Sequence, residues 1–227
     1  MGDWRRYAIY HTPEGPLAAF GAEWLGWDIA RGREGRDRPA GVEALTRAAR
    51  RYGFHATLKA PFRLAADSSE AALLADLRAL AAGQPPVSLP GGLRLAALHG
   101  FPALVPAQPC APLQQLAARV VRALDAHRAP LTPEDRARRN PDRLSEAQRN
   151  LLDRWGYPFV LGQFRFHMTL GARLEGRQSD ALLAALHPHL APLLPDPHPI
   201  ASLTLAGEDA MGRFHQIARL RLRDAQR

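Results

Sequence analysis

RRYGFHATLKAPFRL, residues 50–64, is the stretch that decides the fold of this chain. Its apolar residues alternate with polar ones, namely Phe54, Ala56 and Leu58 with His55, Thr57 and Lys59. A period of two is typical of a strand with one buried face. Because residues i and i+2 share a face, the imidazole of His55 and the hydroxyl of Thr57 are predicted to project together.

The same pattern returns in the second half of the chain. Phe166-His167-Met168-Thr169-Leu170 shares four of five residue types with Phe54-His55-Ala56-Thr57-Leu58. In each half, the motif strand precedes a predicted helix and then two predicted strands. This order predicts an α+β fold, mostly antiparallel, in which residues 1–227 form a single bilobal domain with flanking helices. We expect two pseudo-symmetric lobes, around 50–64 and 155–174, rather than one seamless sheet.

Local signals predict where several helices begin and end. Asp67 with Glu70, and Ser145 with Gln148, have the spacing of a capping box. Leucines at helical spacing follow Glu70, and Pro188 is predicted to end the last helix. Val87 to Leu98 is predicted as one strand.

Composition and charge narrow the class of protein. Hydrophobic residues make up 46% of the chain and charged residues 23%, as in soluble globular proteins. No apolar run approaches the roughly 18–20 residues of a membrane span, so we expect a cytoplasmic protein without membrane partners. The net charge of +8 favours an anionic partner, but 29 of the 30 basic residues are arginine, so a coding bias explains it equally well. With Cys110 as the single cysteine, disulfides and Cys-based zinc clusters are excluded.

The paired motifs carry the candidate chemistry. If the lobes pack about a pseudo-twofold axis, His55, Thr57, His167 and Thr169 meet in one cleft. Two imidazoles with ordinary pKa values near 6.5 can serve as general base and general acid, and threonine hydroxyls can donate to phosphate oxygens. We therefore predict catalysis by these four residues with no metal and no cofactor. The alternative is two core-facing strands that happen to carry histidine and threonine.

Four further residues are predicted to bind substrate. Lys59 lies one i+2 step beyond Thr57, and Arg165 lies at i−2 from His167, so both can reach a phosphate in the cleft. Their alternative is a solvated charge at a strand end. Tyr7 and Tyr157 could stack on or hydrogen-bond a sugar or a base, although tyrosine is more often a residue of the core rim.

Three stretches together resemble a known family. The runs RRYAIYHTP (5–13), RRYGFHATLKAPFRL (50–64) and WGYPFVLGQFRFHMTLGARL (155–174) resemble the two-histidine phosphoesterase superfamily, and within it a bacterial group of phosphonate-metabolism proteins. The similarity extends over nearly the whole chain. It implies a bilobal α+β fold and a cytoplasmic cyclic phosphodiesterase-like enzyme acting near the carbon–phosphorus lyase pathway. A small-molecule phosphate ester, such as a phosphoribosyl cyclic phosphate, is the implied substrate.

Two functions of different class stay open at this point. The superfamily also contains RNA 2',3'-cyclic phosphodiesterases and RNA ligase-like members, so RNA is a second implied partner. A module that binds RNA without chemistry would keep the basic surface as well. The presence of both histidines and both threonines favours the enzyme.

Overall fold

One antiparallel sheet organises the computed structural model, which describes residues 3–35 and 39–223. Its seven strands lie in the order β4-β5-β6-β2-β1-β8-β9, and β3 and β7 form a separate two-stranded ladder. The bounds are β1 Arg6–His11, β2 Ala56–Phe62, β3 Val87–Leu89, β4 Leu93–Leu98, β5 Phe101–Pro106, β6 Met168–Thr169, β7 His198–Ile200, β8 Ser202–Glu208 and β9 Phe214–Arg221.

Several helices pack against one face of this sheet. Their bounds are α1 Gly15–Leu25, α2 Glu43–Arg50, α3 Glu70–Ala82, α4 Ala111–Ala123, α5 Pro133–Ala137, α6 Glu146–Trp155 and α7 Gly176–Leu190. Leu73 and Leu77 of α3 and Leu116 of α4 are fully buried in the same cluster as Leu58 and Met168 from the sheet. Burying a leucine side chain contributes about 1.5–3 kcal/mol. The apolar side of each motif strand is thereby fixed against the helices, which leaves the polar side facing away from them.

The predicted α+β, antiparallel fold is confirmed, but the two halves share a sheet. Strand β2 from the first half pairs with β6 from the second through Ala56 and Met168. We expected two lobes rather than one seamless sheet. The sheet is continuous across both motif strands, so this part of the expectation is wrong. The reason is that Ala56 and Met168 pair through their backbones. The two motifs are therefore neighbours within one sheet.

Positions 36–38 and both chain ends lie outside the described residues. In the part that is described, no helix has the length and apolar character needed to cross a bilayer. Residues 1–227 as one bilobal domain stays a prediction.

Candidate active site

The two motifs face each other crosswise on adjacent strands. Ala56 is the antiparallel partner of Met168. Extending this register by one residue in each direction places His55 across from Thr169 and Thr57 across from His167. Residues opposite one another lie on the same face, about 4.5–5.5 Å apart at Cβ. The four predicted catalytic side chains therefore form one group on the polar face of the sheet, as the resemblance implied.

His55 is held by a hydrogen bond on its inner nitrogen. Its Nδ1 lies 2.9 Å from the carbonyl oxygen of Gly53, and its Nε2 lies 3.0 Å from Oγ1 of Thr57. A carbonyl oxygen only accepts, so Nδ1 must carry the proton. In the neutral ring, Nε2 is then an acceptor for the hydroxyl of Thr57. The backbone of Gly53 adopts a positive φ of 69° to place this carbonyl.

His167 is held in the same way. Its Nδ1 donates to the carbonyl oxygen of Arg165 at 2.8 Å, again two residues earlier in the chain. The neutral ring therefore presents an unprotonated Nε2, as in His55. The two motifs thus repeat an atomic arrangement as well as a sequence.

Both imidazoles border one cavity of about 440 Å³, which is also lined by Thr57 and Thr169. Tyr10 of β1 is the partner of Thr57 and lies against His55 with 3.8 Å between ring centroids. Its hydroxyl is buried and has no hydrogen-bond partner within the described part of the chain. On the other side, the ring of Phe101 lies 5.6 Å from that of His167. Aromatic side chains thus support both imidazoles.

Burial keeps both histidines neutral in the free protein. It lowers the pKa of His55 to about 4, against an opposing effect of the Gly53 carbonyl, and a charge on His167 lowers it further. It also lowers the pKa of His167, opposed by the Arg165 carbonyl. A negatively charged phosphate between the rings would favour the protonated form of either one.

Lys59 borders the cavity, but its ammonium is already paired. Nζ donates to Oδ1 of Asp125 at 3.1 Å and to the carbonyl oxygen of Val121 at 3.2 Å, and the side chain is 3% exposed. Burial lowers its pKa, and Asp125 opposes this. The predicted contact with phosphate thus meets a competing partner from the end of α4. The predicted role in phosphate binding stays a prediction, and the carboxylate had no sequence signal.

The other three predicted binding residues have different positions. Tyr157 lines the cavity, with the guanidinium of Arg139 stacked on its ring at 4.9 Å. Tyr7 lies on the helix side of the sheet, where its hydroxyl donates to Glu70 at 3.1 Å, so the prediction that it binds substrate is wrong. Arg165 is exposed and does not line the cavity. Its side chain donates to the Phe164 carbonyl, and what it contributes to the site is its own backbone carbonyl.

Sequence reasoning missed several residues of the lining. Tyr10 follows the alternation of β1 and could have been found from it. Arg6 and Arg51 both bind Glu208, which is 5% exposed, and Arg139 comes from a connector without any motif. These contacts join residues more than a hundred positions apart, so no local pattern indicates them.

Comparison with known proteins places the chain in a family. It is 39% identical over 219 residues to "Ribose 1,5-bisphosphate phosphokinase PhnN" of Janthinobacterium sp. (strain Marseille), covering 91% of this chain and 48% of that protein. It is 36% identical to the protein of the same name from Laribacter hongkongensis (strain HLHK9), over 95% of this chain and 51% of that protein. The chain spans about half the length of these curated relatives.

Among solved structures, the chain is similar to E. coli LigT complexed with NADP+, with 16% identity and a TM-score of 0.45, over 97% of this chain and 99% of that one. A family model matches residues 57–215, which is more than half of the sequence. The chain therefore belongs to the family described as "Protein of unknown function (DUF1045)".

Proposed function

We propose that this protein is a metal-independent phosphoesterase that opens a small cyclic phosphodiester by paired-histidine acid–base catalysis. The observation that carries the proposal is the crosswise group of His55, Thr57, His167 and Thr169 at one cavity. Each imidazole is fixed through Nδ1 to a carbonyl two residues earlier, so each directs the same nitrogen to the reaction. A structural role alone gives no reason for this duplication.

The reaction uses the two imidazoles in opposite protonation states. The neutral Nε2 of one ring accepts a proton from water as the water oxygen bonds to phosphorus. The bond from phosphorus to one ring oxygen of the cyclic ester breaks, and the protonated second imidazole donates its proton to that oxygen. The product is a phosphate monoester, and the proton taken up equals the proton released. Either histidine fits either role, because both present Nε2.

The threonine hydroxyls stabilise the charge that develops on phosphate. Thr57 and Thr169 lie opposite the two histidines and can donate to the non-bridging oxygens. In this structure the hydroxyl of Thr57 donates to Nε2 of His55, with 3.0 Å between the oxygen and the nitrogen. Binding of the phosphate would turn this hydroxyl away from the ring and free Nε2 for proton transfer.

The cavity and the relatives favour a small sugar phosphate as substrate. A volume of about 440 Å³ lies within the range of about 300–1,000 Å³ that is typical of small-molecule sites. The curated relatives are named for ribose 1,5-bisphosphate, and the resemblance to phosphonate-metabolism proteins favours the same kind of metabolite in the cytoplasm. The phosphokinase reaction itself is not part of the proposal, because the single lysine, Lys59, is not in a Gly-Lys-Ser/Thr loop.

RNA is the second candidate substrate class, favoured by the seven basic side chains of the lining. An RNA end with a 2',3'-cyclic phosphate would present the same diester to the two imidazoles. A protein that binds RNA without chemistry would show salt-dependent affinity and no turnover.

A hydrolysis assay with metal-free protein tests the proposal. We expect turnover of nucleoside 2',3'-cyclic phosphates in excess EDTA, since no step is assigned to a metal. His55→Ala and His167→Ala should each remove most of the rate, and the double variant should be little slower, because the two act as a unit. Thr57→Ala and Thr169→Ala should cost about 2–4 kcal/mol in transition-state stabilisation.

His189→Ala is the matched control, because His189 is exposed on α7 and should leave the rate unchanged. Activity that EDTA abolishes and zinc or manganese restores would contradict the metal-independent reaction. A folded single-histidine variant with near-native turnover would contradict the two-histidine mechanism.

A further inference from the structure

The basic side chains of the cavity fall into groups that differ in how they are neutralised. Arg6 and Arg51 share the buried carboxylate of Glu208. In the same way, Lys59 and Arg128 share Asp125. Each of these four cations already has a carboxylate within hydrogen-bond distance. They position the walls of the cavity, and each pair keeps one positive charge in excess of its carboxylate.

The remaining three arginines have an excess of positive charge. Arg63 follows β2, and Arg138 and Arg139 follow α5. Asp135 accepts a hydrogen bond from Arg63 and lies 3.5 Å from Arg138, so these two share one carboxylate. For Arg139 the described residues provide the ring of Tyr157 and no ion pair. Three cations therefore face a single anion.

Arg139 lies over an aromatic ring and has no ion pair among the described residues. Its guanidinium carbon lies 4.9 Å from the centroid of the Tyr157 ring. Stacking of this kind uses the planar face of the group, while the N–H bonds at the edge can bind two oxygens of a phosphate. This arrangement fixes a long side chain without using any of its donors.

The stacked pair lies near the histidines. The ring of Tyr52 is 6.0 Å from that of His55, and both rings line the cavity with Tyr157 and Arg139. Burial raises the pKa of Tyr157, with Arg139 opposing and Tyr52 adding to this effect, so Tyr157 is within electrostatic reach of both. Arg139 and His55 thus line the same cavity, with Tyr52 and Tyr157 in its wall.

We propose that Arg63, Arg138 and Arg139 form a second anion subsite, which binds a phosphate monoester on the same small molecule that presents its cyclic diester to His55 and His167. This inference rests on the proposed function and specifies its substrate class. A monoester dianion would balance the two positive charges that Asp135 leaves uncompensated. The substrate is therefore a cyclic phosphate that carries a second phosphate, rather than a cyclic phosphate alone.

A matched pair of probes tests the subsite. Adenosine 2',3'-cyclic phosphate and its 5'-phosphorylated form differ only in the monoester. We expect the protein to favour the phosphorylated probe in kcat/KM by at least about tenfold, the effect of one charge-assisted contact. Arg139→Gln should reduce this preference to about twofold or less.

Arg136→Gln is the control, because Arg136 lies in α5 shortly before Arg139, pairs with Asp153 at the surface and does not line the cavity. It should keep the preference. Arg139→Lys keeps the charge but not the planar fork, so an intermediate preference is expected. Thermal unfolding checks that each variant is folded.

A binding measurement separates this inference from the proposed function. Calorimetric titration of adenosine 3',5'-bisphosphate and adenosine 3'-phosphate should show the same preference, lost in Arg139→Gln. Turnover without any preference for the second phosphate would overturn the subsite and keep the phosphoesterase. Preferential binding without turnover would support the subsite and contradict the proposed reaction. Stronger binding of a 5'-extended dinucleotide than of the 5'-phosphate would assign these arginines to RNA and overturn the subsite.

Discussion

Two backbone carbonyls determine which nitrogen each motif histidine offers. Those of Gly53 and Arg165 accept from Nδ1, so the neutral tautomer has a free Nε2 in both rings. A histidine without such a partner exchanges between tautomers, and only one of these can act as a base through Nε2. The fixed tautomer is a prerequisite for the proton transfer that we propose.

At this scale we predict the pH dependence of turnover. The base must be neutral, so activity is lost as pH falls through its pKa; the acid must be protonated, so activity is lost as pH rises through its pKa. Burial lowers the pKa of His55 to about 4 and also lowers that of His167. We therefore expect a bell-shaped profile of kcat/KM whose acidic limb lies below pH 6.5, measured between pH 4 and 9.

The two limbs belong to the coupled pair of histidines rather than to one ring each. A profile that stays flat across this range, or an acidic limb above pH 6.5, would contradict the assignment. The His189→Ala variant should reproduce the native profile, since its imidazole is exposed on α7 and far from the described cavity residues in sequence.

The motif side chains were predictable because their chemistry depends on local alternation. His55 and Thr57 share a strand face in any extended segment, and so do His167 and Thr169. Lys59 shows the limit of this reasoning. Alternation places it two residues beyond Thr57, but the distant Asp125 decides what its ammonium binds.

At the scale of elements, the sequence predicted strongly patterned segments and missed their interruptions. The capping box of Ser145 and Gln148 is confirmed at the start of α6. For α3, the prediction of Asp67 as the cap is wrong, because Ser69 accepts from the backbone N–H of Ala72. The hydroxyl of Ser69 lies next to the first helical residue, and a serine in that place is as good a cap as an aspartate.

Two prolines had unexpected effects. Pro188 lies inside α7, which continues to Leu190, whereas we expected the helix to end at this proline. Its ring costs one hydrogen bond, and the buried Leu186 and Leu190 on either side supply the packing that offsets this loss. The predicted strand from Val87 to Leu98 is instead two strands, because Pro90 and two glycines with positive φ turn the chain between them.

The turn before β2 supports a prediction about glycine. A Cβ on Gly53 would lie 2.7 Å from Cβ of Ile29, and the residue has a φ of 69°. Gly53→Ala should therefore destabilise the fold by about 1–3 kcal/mol through strain and crowding, and should shift the carbonyl that holds His55. Urea unfolding measures the first effect and kcat the second.

Gly162→Ala is the matched control, since a Cβ there meets no atom within 4 Å. It should leave both stability and turnover unchanged. If Gly53→Ala were as stable and as active as Gly162→Ala, the turn would not hold the imidazole in the way that we infer.

At the scale of the whole molecule, acid stability should depend on a second histidine pair. His11 of β1 and His198 of β7 are buried, with 3.4 Å between their Nε2 atoms and no partner for either Nδ1 among the described residues. Burial lowers the pKa of His11 to about 3, helped by a charge on His198, and lowers that of His198 to about 4. Both rings are thus neutral in the fold at pH values where the unfolded chain protonates them.

The sign of the effect follows from proton uptake. Below pH 6.5 the unfolded state binds more protons than the native state, so the free energy of unfolding falls as pH falls towards 4. We expect this pair to contribute a loss of about 3 kcal/mol between pH 6.5 and 5, read from urea midpoints. The double variant His11→Phe with His198→Phe should reduce the slope, to which the two motif histidines also contribute, and His189→Phe should leave it unchanged. An unchanged slope in the double variant would show that other groups cause the acid transition.

Net charge was the least informative sequence property at this scale. The arginine-rich composition was compatible with a coding bias, and the structure shows why counting could not decide the matter. Arg6 and Arg51 share Glu208, and Lys59 and Arg128 share Asp125. Arg139 has no ion pair among the described residues. Only the fold tells which cations share a carboxylate, because a partner such as Glu208 comes from a distant segment.

The crosswise pairing of His55 with Thr169 and of Thr57 with His167 reads the same in both directions, as a palindrome does. A diester placed at its centre could be turned end for end and would still meet an imidazole and a hydroxyl on each side. These four side chains can therefore catalyse the reaction, but they do not distinguish the two ends of the substrate. The distinction between the two ends must come from outside this group, and the second anion subsite that we propose would supply it by binding only one end of the substrate.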